Sequence, residues 1–444
     1  MKQINRILLL LGTLLLAGAV AVGLAACQKP VHDPIPEDTT TSVETTIPAE
    51  TAEPTFAEQI GLDVKQADLK EIMQNIFDGT VSLKETVMFI DKSDVKSLLY
   101  PIESLVSVTS YDGRITYEEG VDYVVEDGML KLTEDSSIPC ITSEVYYNHA
   151  GSIIKMGKDP LYWGESQMKQ WQVSVTYTHA DNWEGFVQES YLEIYQDFVG
   201  KLIRGEDVTV FFYGDSITWG ACSTYAEGVQ PMQGAYPMLF VEALADLFDY
   251  KVTYADTGII EPHACHPVPA ADYVAGDRGT ITYVNTAIGG WTSSDGVNNF
   301  DRYVAEQVEK FGCDLFVLAY GMNDGMYSTG LTKKNITTMI DAVSALNPDV
   351  SVMIIATMTP HPGTNWEFRP IQQQEGVLLD LAEKLRGEGK TVGVACVFSV
   401  SKAVLEHKTF NDYAGNNINH PNDWFYCVYA QTMLQALIGY ENLK

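Results

Sequence analysis

The chain has 444 residues, 46% of them apolar, and carries 28 Lys and Arg against 59 Asp and Glu, a formal net charge of −31. That length allows more than one domain and a sizeable core. The acidity argues against nucleic acid as a partner, which needs clustered cations, and against polyanionic substrates and anionic lipid surfaces.

Lys2 and Arg6 precede an apolar run from Ile7 to Leu24, followed by Leu24-Ala25-Ala26-Cys27. A basic start, an apolar stretch and small residues before a cleavage point describe a secretory leader over residues 1–26. The ending resembles the lipobox of bacterial lipoproteins, which implies that Cys27 is lipidated and becomes the mature N-terminus. The competing reading is a single membrane-spanning anchor, which needs about 20 apolar residues. Either one leaves the protein extracytoplasmic and tethered to the bacterial cell membrane. Loss of Lys2 and Arg6 with the leader takes the net charge to −33. Residues 27–57 are rich in Thr, Pro, Glu and Ala, too poor in apolar surface to offset the entropy of ordering, and read as a disordered tether.

From 58 to 184 the texture is that of an antiparallel β-sandwich domain. A short helix is expected near Ala67–Phe77. Ser107–Tyr111 and Arg114–Tyr117 flank Asp112-Gly113, and Val121–Glu126 and Met129–Thr133 flank Asp127-Gly128; Asp-Gly between β-rich runs is a hairpin signal. Trp171–Tyr177 alternates apolar and polar residues as a half-buried strand does.

From 185 to 444 strands alternate with helices, the signature of a parallel sheet. A helix is expected over Phe186–Arg204 and a last one over Trp424–Tyr440. Strands are expected at 208–213, 281–288, 314–320, 350–358 and 391–397, giving a flavodoxin-like, doubly wound α/β domain with five parallel strands. Lys251–Asp256 reads as an interrupted part of the second strand. The loop between, 257–280, holds His263, Cys265 and His266; without a distant fourth ligand they are a weak metal set, and a rim loop is the better reading. The six cysteines beyond Cys27 show no CxxC pairing, so no zinc framework is expected. Cys222 and Cys265 could meet near the site.

Gly214-Asp215-Ser216-Ile217-Thr218 follows the first parallel strand and precedes helical sequence. A serine at such a turn is either a helix cap or a nucleophile aimed at ligands on the carboxyl edge of the sheet. Three other segments reach the same edge: Gly289-Gly290-Trp291, Gly321-Met322-Asn323-Asp324, and Asn416-Asn417-Ile418-Asn419-His420-Pro421-Asn422-Asp423. A histidine can take a serine proton near neutral pH. A glycine N–H and an asparagine amide, with the N–H of Ser216, make three donors for an oxyanion.

These blocks, GDSIT, NTAIGG, GMND and NHPND in that order, resemble the SGNH (GDSL-type) hydrolases over about residues 205–440. The resemblance implies Ser216 as nucleophile, Gly290 and Asn323 as oxyanion donors and His420 as base, with Asp215 and Asn417 in support. The region ahead is similar to that of bacterial carbohydrate acetylesterases. One departure stands out: the family's D-x-x-H pattern places an Asp where this chain has Asn417. An Asn there implies either a Ser-His dyad in which a backbone carbonyl or the Asn417 side-chain oxygen orients His420, or a degenerate binding protein. Asp423 follows His420 too closely to substitute. His361 is the rival base and otherwise a rim residue, and Trp219, Trp291 and Trp366 are expected on the rim, where aromatic faces suit sugar rings. The expected substrate is an acylated oligo- or polysaccharide, with no metal or organic cofactor. A lipid esterase or thioesterase, and a non-catalytic glycan-binding lipoprotein, are the alternatives.

Overall fold

The computed structural model describes residues 54–164, 168–259, 269–324, 328–367 and 369–443. The expected leader, Cys27 and the tether as far as residue 53 lie outside them, as do His263, Cys265 and His266. Eight strands come first: β1 (Val81–Met88), β2 (Val95–Lys96), β3 (Ser104–Ser110), β4 (Tyr123–Glu126), β5 (Met129–Leu132), β6 (Lys155–Met156), β7 (Asp159–Pro160) and β8 (Gln172–Thr178). They form two antiparallel three-stranded sheets, β1-β8-β3 and β2-β5-β4, and a β6-β7 ribbon.

The hairpin expected at Asp127-Gly128 is present, with φ of 53° and 74° at its two turn residues, the pair of positive values that a twisted hairpin asks for. The one expected at Asp112-Gly113 shrinks to a single bridge, Thr109 to Thr116. Residues 113–116 are exposed and have no buried face to hold a strand. The helix expected near Ala67–Phe77 is two short 3₁₀ turns, Gln66–Asp68 and Glu71–Met73. Tertiary acceptors claim its donors instead: Lys70 N–H donates to Asp246 Oδ2 at 3.1 Å and Ile76 N–H to Gln431 Oε1 at 3.0 Å.

Seven further strands build the second half: β9 (Val208–Gly214), β10 (Lys251–Tyr254), β11 (Tyr273–Val274), β12 (Thr280–Asn285), β13 (Leu315–Ala319), β14 (Ser351–Ala356) and β15 (Thr391–Cys396). Their order is β11-β10-β12-β9-β13-β14-β15, parallel throughout except for β11. The doubly wound parallel sheet is therefore present, with two strands more than the five expected. Lys251–Tyr254 is not a fragment of the next strand; it pairs alongside β12 from Lys251↔Thr280 to Tyr254↔Tyr283. The helix expected over Phe186–Arg204 occupies only Gln196–Arg204. Tertiary bonds again intervene, since Tyr191 N–H donates to the Ala436 carbonyl at 2.8 Å.

Every residue of β9 is buried, and its side chains alternate between two apolar clusters. Phe211 and Tyr213 join one with Val284, Phe316 and Leu318. Val208, Val210 and Phe212 join the other, which continues into Val87, Val173 and Val175 of the N-terminal strands and into the helix Asp423–Ile438. Residues 54–444 are accordingly one compact unit with a core running through both halves.

Candidate active site

β9 lies between β12 and β13, so the segments after these three strands emerge side by side. Ile288 N–H donates to the Gly214 carbonyl at 3.1 Å, and Asp215 N–H to the Ala319 carbonyl at 3.3 Å. This close approach is why residue 214 has no side chain: a Cβ there would stand 2.5 Å from the Ala319 carbonyl oxygen. The cap of the short helix Ser216–Trp219 is Asp215, whose Oδ1 accepts from Ile217 N–H at 3.0 Å. That leaves the Ser216 hydroxyl uncommitted to capping. Burial pushes the Asp215 carboxyl up to about 7. Behind the turn, Tyr426 donates to the Ala221 carbonyl at 2.7 Å, and Thr218 and Tyr236 share a 2.8 Å hydroxyl contact.

Ser216 Oγ and His420 Nε2 are 2.9 Å apart, and each residue is 7% exposed. Burial draws the imidazole down to about 4, so the ring is neutral at ordinary pH and able to accept a proton. His420 sits on a loop closed by the Ala414–Pro421 bridge and by Gly415 N–H donating to the His420 carbonyl at 2.8 Å.

The loop is filled by Asn416, whose Oδ1 accepts the backbone N–H groups of Ile418, Asn419 and His420 at 2.9, 3.0 and 3.0 Å. Its Nδ2 therefore faces outward, donating to Asn419 Oδ1 at 3.1 Å and to His420 Nδ1 at 3.0 Å. Among the described residues, Cys222 Sγ is the other polar atom at that nitrogen, 3.7 Å away.

The expected orienter of His420 is thus corrected. Asn417 turns away in a left-handed conformation with φ of 64°, accepting from Tyr146 at 3.1 Å and donating to the Tyr162 carbonyl at 2.7 Å. Among the described residues, the groups at Nδ1 are an amide nitrogen and a sulfur, not a backbone or amide oxygen. Asp423 is engaged elsewhere, accepting from Thr224 N–H at 2.9 Å and the Thr224 hydroxyl at 2.6 Å, and burial pushes it up to about 6.

Gly290 is exposed, has φ of 80°, and has open space where a Cβ would lie. Asn323 stands on the 3₁₀ turn Met322–Asp324 and spends one amide proton on the Trp291 carbonyl at 2.9 Å; the amide has a second to offer. Asp324 links the two loops, its Oδ1 accepting Ser293 N–H at 2.9 Å. Asn285 donates to the Thr218 carbonyl at 2.9 Å and accepts from Ala287 N–H at 3.0 Å, fastening the β12 exit to the serine turn.

His361 is not a rim residue. It is buried, stacked on Phe410, and donates from Nδ1 to the Asn417 carbonyl at 2.9 Å, a stay for the His420 loop. Burial draws it down to about 4. Trp219 and Trp291 are half-buried, Trp291 packing on Tyr213 and Tyr303, and Trp366 packs against the cluster of Tyr146 and Ile418. The sequence does not reveal the contacts that Asn416, Cys222, Asp324 and Asn285 make at the site. Asn416 adjoins Asn417, but nothing in one chain says which of three asparagines faces the ring. The sequence places Cys222 near the site, beside Cys265, but gives no sign of its contact with the ring.

Residues 212–426 match the model of the GDSL-like lipase/acylhydrolase family. No curated protein matches the chain in sequence. Among solved structures, it is similar to a two-domain esterase active on acetylated mannans, at 17% identity and a TM-score of 0.40, covering 57% of this chain and 54% of that one. The chain thus spans about half the length of that relative. A catalytic mutant of an acetylxylan esterase from Geobacillus stearothermophilus gives 17% identity and a TM-score of 0.35, over 53% of this chain and 96% of that one. A lipase/acylhydrolase from Enterococcus faecalis gives 18% and 0.32, over 51% and 94%. The matched stretch holds the serine turn, both flanking loops and His420, and this C-terminal part of the chain is a domain of the GDSL-like lipase/acylhydrolase family.

Proposed function

We propose that the protein is a membrane-tethered serine esterase that removes short acyl groups, acetyl foremost, from neutral carbohydrate outside the cytoplasm. The observation that carries the hydrolytic reading is the 2.9 Å approach of Ser216 Oγ to a buried, neutral His420, between two donor-bearing loops. In this reading Ser216 attacks the ester carbonyl while His420 takes its proton. The N–H groups of Ser216 and Gly290 and the Asn323 amide receive the oxyanion. His420 then returns the proton to the departing sugar hydroxyl, and water repeats the cycle on the acyl-enzyme.

Support for a neutral glycan comes from the net charge of −31, which repels polyanions, and from the half-buried Trp219 and Trp291 beside the site, whose faces suit sugar rings. The tether rests on residues 1–27 of the sequence. A series of nitrophenyl esters from acetyl to long acyl, together with acetylated oligosaccharides, tests the proposal. Activity that peaks at acetyl and includes the oligosaccharides is expected; activity that rises with chain length turns the reading to a lipid esterase. Metabolic labelling with a fatty acid, lost in Cys27→Ser, tests the anchor.

A further inference from the structure

A histidine that accepts a proton at Nε2 must carry its other proton at Nδ1, and the cation formed in the reaction carries both. Nδ1–H then needs an acceptor. An amide nitrogen has no lone pair to give, so Asn416 Nδ2 cannot be that acceptor, whichever way the ring titrates. Nor can the Asn416 amide be reversed without setting its NH₂ group against three backbone N–H donors. At rest the Asn416 proton points to the Nδ1 lone pair, which places the ring proton on Nε2, facing Ser216. That is the tautomer that cannot act as base.

Among the described residues, the remaining polar atom at Nδ1 is Cys222 Sγ, at 3.7 Å. Its position is held by the local backbone: Cys222 is buried and takes φ of 69°, a left-handed conformation that residues other than glycine seldom adopt. Gly415 completes the approach, because a Cβ at 415 would overlap Cys222 Cβ.

Resting on the esterase reading above, we propose that Cys222 is the positioning residue of His420: its sulfur accepts Nδ1–H in the working tautomer and in the imidazolium, where a carboxylate would otherwise serve. The step balances simply. The Ser216 hydroxyl proton passes to Nε2 as the Oγ–acyl bond forms. Nδ1–H stays on the ring, donating to sulfur, and the thiol gains and loses nothing. The two neutral tautomers differ only in which ring nitrogen holds one proton, with the Asn416 amide favouring the idle form and Cys222 the working one.

The test uses the whole protein with a short-acyl nitrophenyl ester, and nitrogen-15 NMR of labelled histidine to read the His420 tautomer ratio. Cys222→Ala is expected to lower kcat at least tenfold with KM unchanged and to shrink the Nδ1–H population. Cys222→Ser, which restores an acceptor, is expected to recover both. Wild-type kcat together with an unchanged tautomer ratio in Cys222→Ala overturns the proposal. Should Cys222→Ala not fold, Cys222→Ser decides: a folded serine variant without activity overturns it. A wild-type protein that hydrolyses no ester and takes no fluorophosphonate at Ser216 removes the esterase reading instead. The tautomer ratio still tests the contact in that case, since a ring wholly in the Nε2–H form, indifferent to residue 222, overturns it.

Discussion

Gln172, on β8 of the N-terminal sheet, donates from Nε2 to the carbonyl oxygen of Ala414 at 2.8 Å, at the foot of the loop that carries His420. The same nitrogen donates to the Asn411 carbonyl at 2.8 Å, and Asn422, just past His420, donates to Thr86 on β1 at 2.8 Å and to Gln172 Oε1 at 3.1 Å. The N-terminal sheet is the scaffold of the base. Gln172→Ala strips two buried carbonyls of their partner, at a cost of about 1–3 kcal/mol for each group left unsatisfied. The expected result is a lower melting temperature and a kcat reduced roughly tenfold at constant KM, since a loosened base disturbs the reaction more than binding. An unchanged kcat would show that the loop holds its own geometry.

Ser216→Ala removes the oxygen 2.9 Å from His420 and adds nothing to a turn already capped by Asp215. Ester hydrolysis and fluorophosphonate labelling should both vanish while the circular dichroism spectrum stays that of the parent. Retention of more than a few per cent of activity would falsify the serine mechanism.

Asn323→Ala should lower kcat by about 10²–10³ with little change in KM, because the amide bond strengthens only as charge develops on the substrate oxygen. The change also frees the Trp291 carbonyl that Asn323 now holds at 2.9 Å. A pure KM effect would make Asn323 a substrate-binding residue.

The pH profile follows from burial. His420 is drawn from the ordinary 6.5 down to about 4, so it remains neutral, and able to accept a proton, until the pH falls to that region. The acid limb of kcat/KM, which reports the free enzyme, should therefore have its midpoint near pH 4 and not near 6.5. Asn416→Asp puts a carboxylate at Nδ1 while keeping an oxygen for the three backbone donors. Its charge favours the imidazolium, so the acid limb should move upward, toward neutrality. The same carboxylate selects the working tautomer, and kcat should rise by about tenfold or more, a fraction of the roughly 10⁴ that separates Asp from Asn in a serine triad. Asn419 must turn its amide to avoid opposing oxygens, since its Oδ1 now lies 3.1 Å from Asn416 Nδ2. A profile unmoved by Asn416→Asp would mean that the introduced carboxylate does not face the ring.

The parallel sheet was legible because β9, β13 and β14 are continuous apolar runs, buried on both faces, which few other structures accommodate. Ser216, Gly290, Asn323 and His420 are legible because each follows a strand of this sheet or precedes the last helix, and topology alone gathers strand ends. Lys251–Tyr254 misled because a four-residue strand carries too little pattern to be told from part of its neighbour. Ala67–Phe77 and Phe186–Arg204 misled because partners hundreds of residues away, Gln431 and Ala436, claim backbone donors that helical periodicity assigns locally. The surroundings of Nδ1 were illegible for a related reason. Whether residue 416 or 417 faces the ring depends on one left-handed residue, and an asparagine at either place reads alike.

The core that runs from Val87 and Val173 through β9 into the helix Asp423–Ile438 also decides how the molecule comes apart. Because the two halves bury the same side chains, they are expected to unfold together rather than one after the other. Amides of β1 and β8 should exchange with solvent deuterium only through the same global opening that releases those of β9, at one shared free energy. A half-unfolded form with an intact serine turn has no place on that landscape, and a chain cut ahead of β9 would expose the apolar face that Val87, Val173 and Val175 now cover.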